Sequence, residues 1–282
     1  MGVFARTWAL MGASWRVLML DKELLLFPLL SLATAGLVAL TFVGPLAQDQ
    51  SWLQADRAVT DPKQLFAYAR LFLFYVCTYF VVIFFNSALI ASVHLRLQGQ
   101  NPTLMDGLRG AWARLGTLLA WTIVAATVGL LLHVMRERSK NFAGAFLAGL
   151  LEFAWGVATF FVIPILVIEG KGPIDAIQES ATILKRTWGE DLIAGASYGL
   201  IHFACSLPAI AVGVFAFLTA AQGHLAFALF LGVLVICYLL LVNLTILVLE
   251  SVFDVAVYHY ARTGAVPQGF DAALLQSAFV KK

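Results

Sequence analysis

Apolar residues run in six blocks along the chain, 24–45, 71–95, 115–135, 142–168, 192–220 and 225–250, the last grading into a more polar helix towards Tyr260. Roughly 20 apolar residues of helix cross a bilayer core, and every block reaches that length. The pattern predicts an all-α, polytopic membrane protein with six transmembrane helices. Three of the polar stretches that follow these blocks repeat one motif. It reads Gly99-Gln-Asn-Pro102 before Asp106, Gly170-Lys-Gly-Pro173 before Asp175, and Gly264-Ala-Val-Pro267 before Asp271. Glycine and proline end helices where the chain must turn. The spans are therefore expected as three hairpins, each followed by an elbow and a short helix.

The elbow helices are expected to be amphipathic. Leu104, Leu108, Ala111 or Trp112, and Leu115 would line one face of the first, and Ile174, Ile177, Ala181, Leu184 and Trp188 one face of the second. The tail offers Phe270, Leu274, Ala278 and Phe279. Polar groups such as Gln178, Glu179, Lys185 and Arg186 oppose the second stripe, so its apolar side can rest on lipid or on the spans. Phe4, Trp8, Met11, Trp15 and Leu18 fall at helical spacing within residues 1–20. Tryptophan favours the headgroup level, which predicts an N-terminal helix lying on the membrane surface. The following apolar run is too long for a signal peptide and no Ala-x-Ala site follows it, so this helix is expected to be retained. The loop at 46–70, with Trp52, Asp56, Arg57, Asp61 and Pro62, reads as a short surface helix or turn. Residues 1–282 are taken as a single integral membrane domain.

Composition agrees with this pattern. The chain is 61% hydrophobic and 12% charged, against about 45–50% and about 25% in soluble domains. A net charge of +2 gives no footing for nucleic acid. Twelve of the 18 Lys and Arg residues fall on the side of the termini and elbows and six on the other. The positive-inside rule then places both termini and all three elbows in the cytoplasm, in a multi-pass protein of the cell (cytoplasmic or inner) membrane. Cys77, Cys205 and Cys237 lie inside apolar runs and read as small core residues.

Few polar groups interrupt the spans. Glu152 and His202 each sit about ten residues into neighbouring spans and can meet at one depth. They read either as a proton relay or substrate contact, or as a buried structural hydrogen bond. Asn86 and Asn243 read as packing contacts between helices, or as further lining of an intramembrane polar site. Glu250, Asp254 and Tyr258 recur every four residues near the cytoplasmic end of the sixth span and form an acidic stripe. That stripe reads as a clasp to basic elbow residues or as a cation site. Gly195-Ala-Ser197-Tyr-Gly199 matches a hydrolase motif, but it lies in a helical apolar run and doubles as a Gly-x-x-x-Gly packing face. His202 and Cys205 lack a third ligand, so no metal, cofactor or catalytic residue is expected. Pro164 and Pro208 should kink the fourth and fifth spans.

Trp8, Ser14-Trp15, Leu18, the run Asp21-Lys22-Glu23-Leu24-Leu25-Leu26-Phe27-Pro28, Glu169-Gly-x-Gly-Pro173 and Thr187-Trp188-Gly189-Glu190 together resemble a prokaryotic family of integral membrane proteins of unknown function. More remotely, the hairpin-and-elbow repeat is similar to the membrane domain attached to some glycerophosphodiester phosphodiesterases. The resemblance implies the fold and no activity, since no phosphodiesterase catalytic domain is present. The expected function is non-enzymatic. The chain would be an accessory, scaffold or binding subunit whose interfacial helices engage membrane lipids, a protein partner or a second copy of itself. The competing expectation is a small-solute or lipid transporter or channel with polar groups inside the bundle.

Overall fold

The structure is a computed structural model that describes residues 3–48, 62–139, 142–187 and 194–272. The predicted turn at Trp52, Asp56, Arg57 and Asp61, Trp188 of the second elbow, and Leu274, Ala278 and Phe279 of the tail lie outside these residues. Helices follow one another as α1 (Val3–Leu20), a 3₁₀ turn (Lys22–Leu25), α2 (Leu26–Gln48), α3 (Pro62–Leu97), α4 (Leu104–Trp112) and α5 (Leu115–Arg138). Then come α6 (Phe142–Ala158), α7 (Val162–Pro164) running into a π turn (Ile165–Glu169), α8 (Pro173–Thr187), α9 (Ala194–Ala221) and α10 (Leu225–Thr263). Among the described residues six helical segments are long and apolar enough to cross a membrane: Lys22–Gly44, Tyr68–Leu97, Leu115–Arg138, Phe142–Glu169, His202–Ala221 and Leu225–Thr263. The protein is a multi-pass membrane protein.

The chain packs as two compact units interleaved in sequence. One comprises Leu26–Leu95 and Asn101–Lys185. Within it, α4 lies close against α3 because Gly107 and Gly110 carry no side chain there. A Cβ at Gly107 would overlap Ser92 Oγ and come within 2.6 Å of both the Ala88 carbonyl oxygen and Phe27 Cζ. Ala111 is fully buried while Trp112 is exposed and meets Phe84 edge-on, which settles the choice between them for the inward face. Trp121 of α5 stacks on Trp155 of α6 with ring centroids 6.1 Å apart.

The fourth span is broken at residues 159–161. Pro164 explains the break, since its ring would collide with the Phe160 carbonyl of a continuous helix and it offers no N–H. The freed backbone N–H of Phe161 donates to Ser180 Oγ of α8 at 3.0 Å. That contact fixes the inward face of α8 as Ala176, Ser180, Ile183 and Leu184, all buried. The face differs from the predicted stripe, because Ile174 and Ala181 stay exposed.

The second unit comprises Met1–Leu25, Arg96–Gln100 and Arg186–Lys282. Here α9 lies along α10, and α1 packs on both. The inward face of α1 is Leu10, Ala13, Ser14, Val17 and Leu18. Trp8 and Trp15, the core of the predicted stripe, are 62% and 47% exposed. Both sides of α1 are apolar, and the aromatic stripe is the outer one. The 39 residues of α10 span about 58 Å at 1.5 Å per residue, well beyond a bilayer core of about 30 Å. Its first half is largely exposed, and Val248–Val257 is mostly buried beneath α1 and the 3₁₀ turn.

Candidate functional site

Two groups of polar side chains stand out, one along the α9–α10 pair, where Asn243 is exposed and His202 half-buried, and one at the ends of the spans. On α10, Asn243, Glu250, Asp254 and Tyr258 are spaced seven, four and four residues apart and so follow one side of the helix. His202 of α9 faces the start of this row, with Nε2 2.9 Å from Asn243 Oδ1. The Asn243 amide nitrogen donates to the Leu239 carbonyl at 2.7 Å, which leaves Oδ1 as the acceptor. His202 therefore donates through Nε2–H, and Nδ1 is its basic nitrogen when the ring is neutral. His202 lies within electrostatic reach of Glu250, which in turn neighbours Asp254. Tyr258 is buried at the far end of the row, and the Tyr238 hydroxyl donates to the Cys205 carbonyl at 2.8 Å. Of the pair expected at mid-membrane, only His202 joins this row: its partner is Asn243 rather than Glu152, and the row continues into the acidic stripe.

Glu152 has a different partner from the one its depth suggests. Arg136 Nη1 donates to Glu152 Oε2 at 3.0 Å. Arg136 follows the last apolar residue of the third block and reads as a loop residue, yet α5 continues to Arg138, so its guanidinium extends along α6. Asn86 lies in α3, beside the buried Ser87. The Gly195–Gly199 motif falls in the first turns of α9 and lacks the strand-to-helix turn that exposes a hydrolase serine. Among the described residues no three His, Cys, Asp or Glu side chains are placed to hold a metal ion.

The second group lies at the elbow turns. Gly99, Gly170 and Gly264 have φ of 86°, 69° and 69°. These left-handed values are open to glycine and strained for other residues, which accounts for the repeated motif. In one unit, Gln268, beside Pro267, donates its N–H to the Leu97 carbonyl at 3.2 Å, and its side chain covers Gly99. Nearby, Arg96 directs Nε and Nη2 to Asp21 Oδ2 at 3.2 and 3.1 Å, with Asp21 buried. In the other unit the Arg114 guanidinium lies over Gly170, where any Cβ would overlap it.

The elbow helices are anchored individually. After Pro102, Thr103 caps α4. Its N–H and hydroxyl donate to Asp106 Oδ2 at 2.9 and 2.7 Å. These bonds hold the Asp106 carboxyl below its usual range. Lys171, between Gly170 and Pro173, pairs with Glu169 at 2.8 Å and with Glu179. Both carboxylates raise its pKa, Glu169 most. Three contacts have no signal in the sequence pattern: Asp21 with Arg96, Arg114 over Gly170, and Ser180 with the Phe161 N–H. Their residue types are visible, but the pairings join positions 75, 56 and 19 residues apart.

Residues 65–269, well over half of the chain, match DUF6159, a family of unknown function. The chain belongs to that family. No curated protein and no solved structure matches it. The DUF6159 match starts in α3 and ends at the Gly269 turn, so it takes in all three elbow glycines and the polar row of α10 while leaving α1 outside. A DUF6159 assignment carries no reaction with it, and none is taken from the phosphodiesterases.

Proposed function

We propose that this DUF6159 protein is a non-enzymatic membrane subunit that works through a collar of interfacial helices at one end of its spans, binding lipid or a protein partner. The observation that carries this reading is the outer face of α1. Its inner face is fully used in packing, yet Trp8, Trp15, Met19 and Leu20 remain exposed. Tryptophan in such a position suits the headgroup layer or a partner surface. The elbows support the collar. The first touches the third through Leu97 and Gln268, and Arg114, between α4 and α5, covers the glycine of the second. In this reading the six spans form three antiparallel hairpins, α4 and α8 are amphipathic straps, and the excess of Lys and Arg puts collar and termini in the cytoplasm of the cell (inner) membrane.

Purification in a mild detergent, with mass spectrometry of the bound lipids and proteins, tests it. Wild-type protein should retain a defined lipid or protein that Trp8→Ala/Trp15→Ala loses. Identical retention by both proteins would overturn the reading. The row His202, Asn243, Glu250, Asp254 gives transport its one specific support, since it sets ionisable and amide groups along the largely apolar α9–α10 pair. Solute flux through proteoliposomes that Glu250→Gln abolishes would favour that alternative.

A further inference from the structure

The surface of α10 changes character once along its length. Over Leu225–Leu247 only Ala228 and Ile246 are buried, and the exposed side chains are apolar apart from Tyr238 and Asn243. From Val248 to Tyr258 every residue is buried except Glu250 and Asp254. The first stretch measures about 34 Å at 1.5 Å per residue, close to the bilayer core of about 30 Å. It starts at the exposed turn Gln222–His224, whose polar side chains and irregular backbone belong outside hydrocarbon. Counted from that turn, the His202–Asn243 pair lies about 28 Å along α9 and α10, at the opposite edge of the core. One N–H of the Asn243 amide is bound to the Leu239 carbonyl, and at this depth the second meets headgroups and water instead of hydrocarbon. We infer that one edge of the bilayer runs at Asn243–Leu247 and that the outer face of α1 is seated in the headgroup layer there, so that the occupant of this face is lipid and not protein. The inference deepens the collar reading and rests on it.

Continuity with the lipid-facing surface selects the occupant. Val248, Val252, Phe253 and the other apolar residues of α10 past Leu247 need cover where acyl chains no longer supply it. The inner face of α1, with Leu10, Ala13, Val17 and Leu18, packs on this helix, so α1 begins where the lipid-facing length ends. On its other side Trp8, Gly12, Trp15 and Met19 are exposed at steps of four, three and four, one stripe of the helix. Indole rings, apolar in body with an N–H at one edge, are the side chains that bilayers hold at headgroup level. The exposed charges over residues 8–25 are Arg16, Lys22 and Glu23. Two cations to one acid suit a layer of phosphate-bearing headgroups.

Nitroxide labels on the full chain, in vesicles of phosphatidylcholine and phosphatidylglycerol, read depth from their relative accessibility to oxygen, which concentrates at the bilayer centre, and to a water-soluble nickel chelate. In a chain whose three native cysteines are alanine, Ile236→Cys, Leu247→Cys, Gly12→Cys and Met19→Cys are labelled one at a time. All four positions are exposed, so the variants fold, and both α1 tryptophans stay in place. Ile236 should read about 16 Å deeper than Leu247. Gly12 and Met19 should read at the depth of Leu247 to within the headgroup layer, about 5–8 Å thick. A Leu247 label that is free in water or shielded from both reagents overturns the inference, as does a label at Leu247, Gly12 or Met19 that lies as deep as Ile236. If the Gly12 and Met19 labels alone are shielded from both reagents, a protein or a second copy of this chain covers the face, so the lipid assignment fails and the collar reading stands. If both α1 labels read as free in water, the face engages nothing at the membrane and the collar reading falls as well.

Discussion

At the scale of single residues, the absence of a side chain does as much as its presence. Gly107→Ala would press a methyl group onto the Ala88 carbonyl and Phe27. A backbone carbonyl in a helix cannot move aside, so the expected cost is about 2–3 kcal/mol, in the range of core overpacking. Gly12, inside α1, has open space for 4 Å around the point where a methyl group would stand. Gly12→Ala should instead stabilise by about 0.5–1 kcal/mol by restricting the unfolded chain. Thermal unfolding of the two variants in detergent separates these effects by sign. Asp106 supplies a pH test. Its folded pKa is depressed, so the cap adds stability above the ordinary value of 3.8 and loses it as pH falls through the lower folded value. Exchange protection of the amides at the start of α4 should persist just above that ordinary value and fade below it. Asp106→Asn should weaken protection at every pH.

At the scale of helices, the break in the fourth span and the face of α8 are one feature. Ser180→Ala removes the acceptor of the Phe161 N–H in a fully buried site, at a cost of about 1–3 kcal/mol. Adding Pro164→Ala lets the helix continue, and the Phe161 N–H can then donate to the Val157 carbonyl four residues back. The double variant should therefore lose less stability than Ser180→Ala alone, a non-additivity that thermal unfolding measures directly. The same helices show what a sequence can reveal. Span positions are legible because length and hydropathy are local properties, and the glycine turns because a left-handed φ has a residue signature. The inner face of α1 is not legible, since both its faces are apolar and the aromatic side dominates the periodicity. Nor is the inner face of α8, where Ser180 is polar by type and buried by virtue of a break 19 residues earlier. The need of Glu152 for a partner follows from its depth, but Arg136 is hidden because α5 continues past its last apolar residue.

At the scale of the whole molecule, the collar draws on two separable observations, and one experiment reads both. Each turn contact lies within one unit, Leu97 with Gln268 in one and Arg114 with Gly170 in the other, and the collar reading assigns all three elbows to one end of the spans. The distribution of Lys and Arg favours the cytoplasm for that end. With Cys77, Cys205 and Cys237 replaced by alanine, single cysteines at Asn101, Lys171 and Ala265 should react with a membrane-impermeant maleimide only in inside-out vesicles. A cysteine at Gln222, exposed in the turn between α9 and α10, should react only in right-side-out vesicles. If all four sites reverse together, the charge count has failed while the collar stands, because the three elbows still share a side. If Asn101, Lys171 and Ala265 divide between the two sides, the three elbows share no end of the spans, and the proposal that function resides there falls.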